Sequence, residues 1–178
     1  MTDRLWLVVG TFIVYTALYL LNDMLFSSLE FSTGVNWVYL PSGLRLMFVL
    51  LFVESGAIGV ALASIFLSSI FTFKGDLISV LMTGLISGFA PYLARYVCHD
   101  RLSLDLGLQD LTARKLIGVS VVFALMSAFM HQVFYTWQGQ TENFISSTAV
   151  MAVGDIIGTI IMLYIAKFVL LGIRQKRL

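Results

Sequence analysis

The sequence predicts an all-α membrane protein, a bundle of about six transmembrane helices. Its 178 residues are 59% hydrophobic and 12% charged, and the mean hydropathy is +0.93. Soluble domains carry about 25% charged residues, so a soluble fold could not bury this much apolar surface. The apolar residues also come in blocks about as long as a bilayer is thick, and a segment that crosses lipid must be helical to satisfy its backbone.

Six apolar blocks define the predicted spans of one integral membrane domain. They cover residues 5–22, 37–53, 56–73, 77–97, 113–137 and 146–171. Only Glu54 and Ser55 separate the second block from the third, which predicts an antiparallel pair of neighbouring helices. The first block has no small-residue cleavage site, so we expect a retained helix and not a signal peptide. No soluble domain is predicted.

Basic residues predict the orientation, because Lys and Arg concentrate in cytoplasmic loops. Basic residues occur at three places: Arg4, the connection between the fourth and fifth blocks, and the tail from Arg174. The connections on the opposite side contain one basic residue, Lys74. We therefore expect a bacterial-type inner-membrane protein with both termini in the cytoplasm.

The composition and the motifs of the sequence argue against several classes of function. The formal net charge is +1, and no basic stripe interleaved with aromatic residues indicates nucleic-acid binding. Cys98 is the only cysteine, which excludes an intramolecular disulfide and a cysteine cluster. The sequence contains no phosphate-binding, zinc-protease or serine-nucleophile motif, so catalysis is not expected. His99 and His131 lie on opposite predicted sides, which excludes a bis-histidine haem, and no cofactor is predicted.

Ionisable side chains inside the spans are the most informative feature, because such residues are costly in lipid and usually face the bundle interior or a water-filled cavity. Arg45, His131 and Asp155 lie on three different predicted spans, roughly 9 to 14 Å below the outer interface at about 1.5 Å per residue. We interpret this layer as a polar site that opens outward. The candidate ligand-binding residues are Arg45, His131, Asp155, Asp23, Tyr135 and Ser42.

An alternative interpretation gives this layer a structural role. Arg45 and Asp155 would form a buried ion pair that fixes the register of their helices, and His131 would bond to a neighbouring backbone carbonyl. Apolar replacement of such a pair is often neutral for stability, so stability alone is a weak reason for it. A metal site built from His131, Asp155 and Asp23 is not expected, because Arg45 in the same layer would repel the cation.

Pro41 bears on the Arg45 hypothesis, because proline is favoured in the first turn of a helix. A helix that begins at Pro41 would sink its N-terminus into the membrane, where N–H groups and the positive dipole end favour an anion. Together with Arg45, this end would suit a carboxylate or phosphate, supplied by a ligand or by Asp155. We therefore expect a small anionic ligand; an ordinary proline kink is the alternative.

Two further patterns concern packing and partners. Small residues spaced by three or four predict close helix contacts; they are Gly56, Gly59 and Ala63, Gly84 and Gly88, and Gly154 and Gly158. The segment from Arg101 to Leu111 alternates leucine with small or polar residues. It is either a docking strip for a cytoplasmic partner or a loop whose leucines enter the headgroup region. Asp110 or Thr112 is the expected cap of the fifth helix.

Two short segments carry a family resemblance: Asn36-Trp-Val-Tyr-Leu-Pro-Ser-Gly-Leu and Val153-Gly-Asp-Ile-Ile-Gly. They resemble the W-x-P-x-G-like and G-D-x-x-G-like segments of the first type of bacterial membrane-associated sensor domain, and the similarity covers residues 36–171. That family usually has more spans and is fused to a cytoplasmic signalling module. The resemblance therefore implies an integral membrane sensor, here with its output expected from a separate partner.

The size and helix count are also similar to the substrate-capture components of energy-coupling-factor vitamin transporters, which bind ligand from the outer side. Those proteins commonly use an A-x-x-x-A patch on the first helix, whereas the first block here contains one alanine, Ala17. The leading hypothesis is a sensor, with a transporter capture subunit and a structural subunit of a membrane complex as alternatives. The expected partners are the lipid bilayer, a small molecule, and a separate membrane or cytoplasmic protein, with no nucleic acid.

Overall fold

The computed structural model describes residues 2–102 and 112–175, and within them the chain forms a bundle of six α-helices. The helices are α1 (Thr2–Phe26), α2 (Pro41–Phe52), α3 (Glu54–Leu67), α4 (Leu77–Leu102), α5 (Ala113–Trp137) and α6 (Phe144–Gln175). A π-helical turn, Ser68–Thr72, follows α3. Most of the predicted leucine-rich docking strip, with Asp110, lies outside the described residues. Thr112 caps α5, where its hydroxyl accepts from the Lys115 N–H at 3.3 Å.

Five helical stretches in the described part of the chain are long and apolar enough to cross a membrane. They are Thr2–Leu29, Glu54–Thr72, Leu77–Asp100, Ala113–Trp137 and Phe144–Val169. Large apolar side chains cover the outside of the bundle; Trp6, Trp137 and Ile145 are each more than 70% exposed. A soluble protein rarely exposes so much contiguous apolar surface. The helices therefore indicate a membrane protein, which confirms the predicted class.

Helix α2 differs from the predicted span over residues 37–53. The helix begins at Pro41, as the proline predicts, and it has only 12 residues. At about 1.5 Å per residue it is about 18 Å long, shorter than the roughly 30 Å of a bilayer core. The prediction of a helix across the whole block is therefore wrong, because residues 37–40 before the proline are not helical.

A short β-hairpin joins α1 to α2 and was predicted only as a loop. After one 3₁₀ turn, strands β1 (Glu30–Ser32) and β2 (Val35–Asn36) pair antiparallel, with Glu30 opposite Asn36. Gly34 in the turn has a φ of 73°, a conformation that glycine adopts without steric cost. The end of the bundle that carries this hairpin is called the hairpin end below.

Glycines mark the places where helices approach most closely, as their spacing predicts. A Cβ added at Gly59 of α3 would lie 2.6 Å from the Thr11 Cβ of α1. A Cβ added at Gly88 of α4 would lie 2.5 Å from the carbonyl oxygen of Ala57 in α3. These contacts confirm the predicted small-residue packing between α1, α3 and α4.

Gly154 and Gly158 of α6 have a different partner from the one predicted. They pack against the carbonyl groups of Asn36 and Tyr39, in the stretch that leads from the hairpin into α2. A side chain at either glycine would overlap that backbone. The glycines therefore admit the non-helical stretch before α2. Gly158 also lies against α2 itself, because a Cβ added at Gly43 would be 3.1 Å from its carbonyl oxygen.

The junction between α2 and α3 consists of one residue, Val53. Its φ is 51° and its ψ is −117°, a region that β-branched residues rarely adopt. Beyond the turn, Gly56 lies directly against the carbonyl group of Phe48. This contact confirms that α2 and α3 are neighbours.

Candidate functional site

A cavity of about 80 Å³ lies between the helices at the hairpin end. Its entrance includes the exposed residues Asp23, Ser27 and Glu30, and its floor contains Arg45 and Asp155, each only 1% exposed. A polar space of this size holds several water molecules or a small ligand. The cavity therefore connects the surface at the hairpin end with buried charges inside the bundle.

Arg45 and Asp155 form the floor of the cavity as an ion pair between α2 and α6. Arg45 Nη2 donates to Asp155 Oδ1 at 2.9 Å. The guanidinium also lies between two aromatic rings, with its Cζ 5.2 Å from the ring centre of Tyr39 and 5.4 Å from that of Phe123. Three residues thus hold the arginine in one position.

The ion pair leaves part of its hydrogen-bonding capacity unused. Arg45 Nε and Asp155 Oδ2 are buried and have no hydrogen-bond partner among the described residues. An arginine and a carboxylate often meet through two parallel hydrogen bonds, which would use more of these atoms. A buried polar atom without a partner costs about 1 to 3 kcal/mol. The two contacts that the structural interpretation predicted, this ion pair and a bond from His131 to a backbone carbonyl, are thus confirmed, while two atoms of the pair lack a partner among the described residues.

Ser42 holds the start of α2 against α6 and does not line the cavity. Its Oγ lies 2.7 Å from the carbonyl oxygen of Tyr39 and 2.8 Å from that of Asp155. The Tyr39 N–H donates to the carbonyl of Gly154 at 3.2 Å. Ser42 was predicted to bind the ligand. Its hydrogen bonds join the two elements that carry the ion pair.

The N-terminus of α2 does not offer the anion site that the sequence suggested. Pro41 has no N–H, and the N–H groups of Ser42 and Gly43 donate to the carbonyls of Tyr39 and Leu40 at 3.2 and 3.1 Å. The anion that meets Arg45 is Asp155 of the chain itself. Neither the N-terminus of α2 nor Arg45 therefore supports the expectation of an anionic ligand.

His131 and Tyr135 form one wall of the cavity, one helical turn apart on α5. His131 Nδ1 donates to the carbonyl of Ser127 at 2.8 Å, and its Nε2 lies 3.4 Å from Ser87 Oγ. The Tyr135 hydroxyl lies 3.3 Å from Thr83 Oγ1. Both predicted residues thus line the cavity, and helix α4 supplies one hydrogen-bond partner to each of them, Ser87 and Thr83.

Tyrosines on the opposite wall were not predicted as site residues. The hydroxyls of Tyr15 and Tyr39 lie 3.1 Å apart, and Tyr19 and Asn22 of α1 also line the cavity. A signal for them was present, because polar residues recur every four positions on otherwise apolar helices. The recurring sets are Thr11, Tyr15 and Tyr19 in α1, Ser79, Thr83 and Ser87 in α4, and Ser127, His131 and Tyr135 in α5.

Metal binding has no structural support in the described residues. No three histidine, cysteine, aspartate or glutamate side chains there are grouped so that they could hold a metal ion. Asp23 lies at the entrance and Asp155 at the floor, paired with Arg45. The carboxylates of the cavity are thus distributed along its length.

The two segments that carry the family resemblance contact each other. Tyr39 and Arg45 of the first segment and its helix meet Gly154 and Asp155 of the second. No protein-family model, curated protein or solved structure matches the chain. The cavity between these segments is therefore the main basis for a proposal about function.

Proposed function

We propose that this chain is a sensor-type ligand-binding module of a bacterial inner membrane. It recognises a small polar molecule from the outer side and passes the signal to a separate partner protein. The observation that supports this most is the cavity, which leads from the hairpin end to a buried, incompletely bonded ion pair. Ionisable groups at such positions in membrane proteins usually serve a function, because burying them is costly.

The proposal includes six membrane crossings, with α2 and the preceding non-helical residues together forming the second. Non-helical backbone is tolerated at membrane depth where protein groups satisfy it. The N–H groups of Trp37, Tyr39 and Leu40 donate to the carbonyls of Leu29 and Gly154 and to the Asn22 side chain. Protein groups therefore satisfy these three N–H groups, which supports placing the stretch at membrane depth.

An even number of crossings places both termini on one side, and basic residues indicate that this side is the cytoplasm. Arg4, Arg95 and Lys115 lie toward the ends of α1, α4 and α5 that are opposite the hairpin. The hairpin end is then the outer end, and the cavity opens outward.

Helix α6 offers the route for the signal. Asp155 lies on this helix, which continues for 20 residues to Gln175, or about 30 Å. A ligand that hydrogen-bonds to Arg45 or Asp155 would compete with the link between α2 and α6. Such differential binding shifts the balance between two arrangements of the helices.

A substrate-capture subunit of a transporter is the second candidate, because it would use the same one-sided cavity. The structural-subunit alternative is less well supported. A structural subunit would need glycine-rich faces that are free to meet other proteins, but the glycines at five such positions all face other parts of this chain: Gly59, Gly84, Gly88, Gly154 and Gly158.

Accessibility of a cysteine inside the cavity tests the proposal. Thr83 lines the cavity, and Thr83→Cys would be made in a Cys98→Ala background and treated with a membrane-impermeant thiol reagent in right-side-out vesicles. We expect modification from the outside. Ser27→Trp, at the entrance, should slow it, since a bulky ring would obstruct the path.

The matched control is Ser28→Trp, because Ser28 is the exposed neighbour of Ser27 and does not line the cavity. It should leave the rate of modification unchanged. Modification of Thr83→Cys from the cytoplasmic side alone, or no modification from either side, would refute an outward-opening cavity.

A further inference from the structure

The charges that line the cavity are mainly negative. Asp23, Glu30 and Asp155 contribute three carboxylates, whereas Arg45 is the only lysine or arginine that lines the cavity among the described residues. His131 also lines the cavity and adds a positive charge only when it is protonated. Two of the carboxylates lie at the entrance, where an incoming ligand first meets the protein.

Arg45 has little remaining capacity to attract an anion. Its guanidinium is bonded to Asp155 and lies between the rings of Tyr39 and Phe123. An anion at the floor would also approach the Asp155 carboxylate. The floor is therefore close to electrically neutral, and the carboxylates of Asp23 and Glu30 determine the charge that the cavity presents.

Aromatic rings surround the path between entrance and floor. Tyr15, Tyr19, Tyr39 and Tyr135 all line the cavity, and the rings of Tyr19 and Tyr39 meet edge to face with their centres 6.4 Å apart. Aromatic faces attract cations, and ammonium groups are often bound by several rings together. The protein already uses the Tyr39 ring in this way for its own Arg45.

We infer that the cavity takes a small organic cation, with an ammonium group held by the entrance carboxylates and the tyrosine rings. This inference rests on the proposed function, since it names the ligand class for the same cavity. Asp23 and Glu30 would attract the cation, and Tyr19 would contact it. The polar part of the ligand would then meet the Arg45–Asp155 pair at the floor of the cavity.

A pair of charged thiol reagents tests this inference. Thr83→Cys in the Cys98→Ala protein, in a nonionic detergent, would be treated with trimethylammonium-ethyl methanethiosulfonate and with its anionic sulfonate-ethyl analogue. The ratio of the two rates would be divided by the same ratio for 2-mercaptoethanol, a neutral thiol in solution. We expect the cationic reagent to be favoured at least about tenfold, a usual size for electrostatic focusing in a charged cleft.

The double variant Asp23→Asn/Glu30→Gln should lower this normalised preference at least about threefold. Glu142→Gln is the matched control, because Glu142 is an exposed carboxylate near the hairpin end that does not line the cavity. It should leave the preference unchanged.

The possible outcomes separate the two proposals. An equal rate for both reagents, or a preference for the anionic one, would overturn the cation inference while the cavity remains. A cationic preference that survives the double variant would overturn the role of Asp23 and Glu30. If neither reagent modifies Thr83→Cys, the accessible cavity itself is absent and the proposed function fails.

Discussion

The hairpin half and the opposite half of the bundle contain the same helices with different interiors. Along one face of α4, the buried residues toward the hairpin are Ser79, Thr83 and Ser87, and those toward the other end are Ala90, Ala94 and Cys98. Helix α5 changes in the same way. It buries His131 and Tyr135, together with Phe134, in one half, and Val119 and Phe123, together with Ser120, in the other.

The difference shows that buried polar side chains are concentrated in the hairpin half and are not spread evenly through the bundle. An apolar cluster fills the opposite half and contains Leu46, Leu50, Ala94, Cys98, Val119 and Phe123. Phe123 also contacts the guanidinium of Arg45, so this cluster begins directly below the cavity floor. The apolar half closes the cavity at one end, which suits recognition from one side better than a continuous pore.

The largest loss of stability is expected when the Arg45–Asp155 ion pair at the cavity floor is broken. Asp155→Ala would leave Arg45 buried without its charge partner, which typically costs about 3 to 5 kcal/mol. Thermal and denaturant unfolding in detergent would measure this loss. The double variant Arg45→Met/Asp155→Leu should recover most of it, and the exposed Asp23→Asn should change stability by less than about 0.5 kcal/mol. A single variant as stable as the wild type would mean that the pair does not form.

The next largest effect concerns the contact that holds the non-helical stretch against α6. Gly158→Ala would place a methyl group on the carbonyl of Tyr39, and such overpacking costs about 1 to 3 kcal/mol. Gly10→Ala in α1 is the control, because nothing lies within 4 Å of its added Cβ. It should be neutral or stabilising, as alanine favours the helix. Equal behaviour of the two variants in thermal unfolding would contradict the close approach.

A gain in stability is expected in the apolar half, at the turn between α2 and α3. Val53 has a φ of 51°, and such strain costs on the order of 1 to 3 kcal/mol. Val53→Gly should relieve it and raise the unfolding free energy by up to about 1 kcal/mol, after the entropic cost of glycine. Val53→Ala keeps a Cβ at the same φ and should give no gain. Destabilisation by Val53→Gly would argue against the strained turn.

The smallest effect is expected at the rim of the polar half. Asp76 caps α4: its Oδ1 accepts from the Ser79 N–H at 3.1 Å, and its Oδ2 accepts from Gln140 at 3.3 Å. Hydrogen bonds from Ser79, first from its side chain and then from its backbone, hold the pKa of Asp76 below its ordinary value. A lowered pKa in the folded state means that the charged form stabilises the fold.

This contribution should be present above about pH 4, the range of an unperturbed aspartate, and disappear as the pH falls through the lower pKa of the folded state. Asp76→Asn retains a capping side chain and removes the charge. Its melting temperature should therefore lie slightly below that of the wild type at pH 7 and match it in strong acid. A difference that stays constant with pH would contradict this role.

Much of the site could be predicted, because a charge within an apolar block is visible in the sequence and helix geometry gives its depth. Arg45, His131 and Asp155 do line one cavity. The sequence offered two partners for Arg45, an anionic ligand or Asp155, and could not decide between them, since that depends on how α2 and α6 cross. The fold pairs Arg45 with Asp155.

The other differences between the predicted and the observed structure also have physical causes. The hairpin strands have three and two residues, too few to show an alternating pattern. The second span was predicted to begin at Trp37 because Trp37 to Leu40 are apolar enough to extend the hydrophobic block, although Pro41 indicated the true start of α2. Tyr15 and Tyr39 were missed because tyrosine is also common at membrane interfaces, and only their contact in the fold separates the two roles.

The most direct test of the contrast between the halves is a cysteine scan along the buried face of α4. Cysteines at Thr83, Ser87, Ala90 and Ala94, in the Cys98→Ala background, would be treated with an impermeant reagent from each side of the membrane. We predict modification of the first two from the outer side alone, and of the last two from neither side. Modification at Ala94 from the outside would contradict a closed floor, and modification of Thr83→Cys from the cytoplasmic side would contradict the orientation of the polar half.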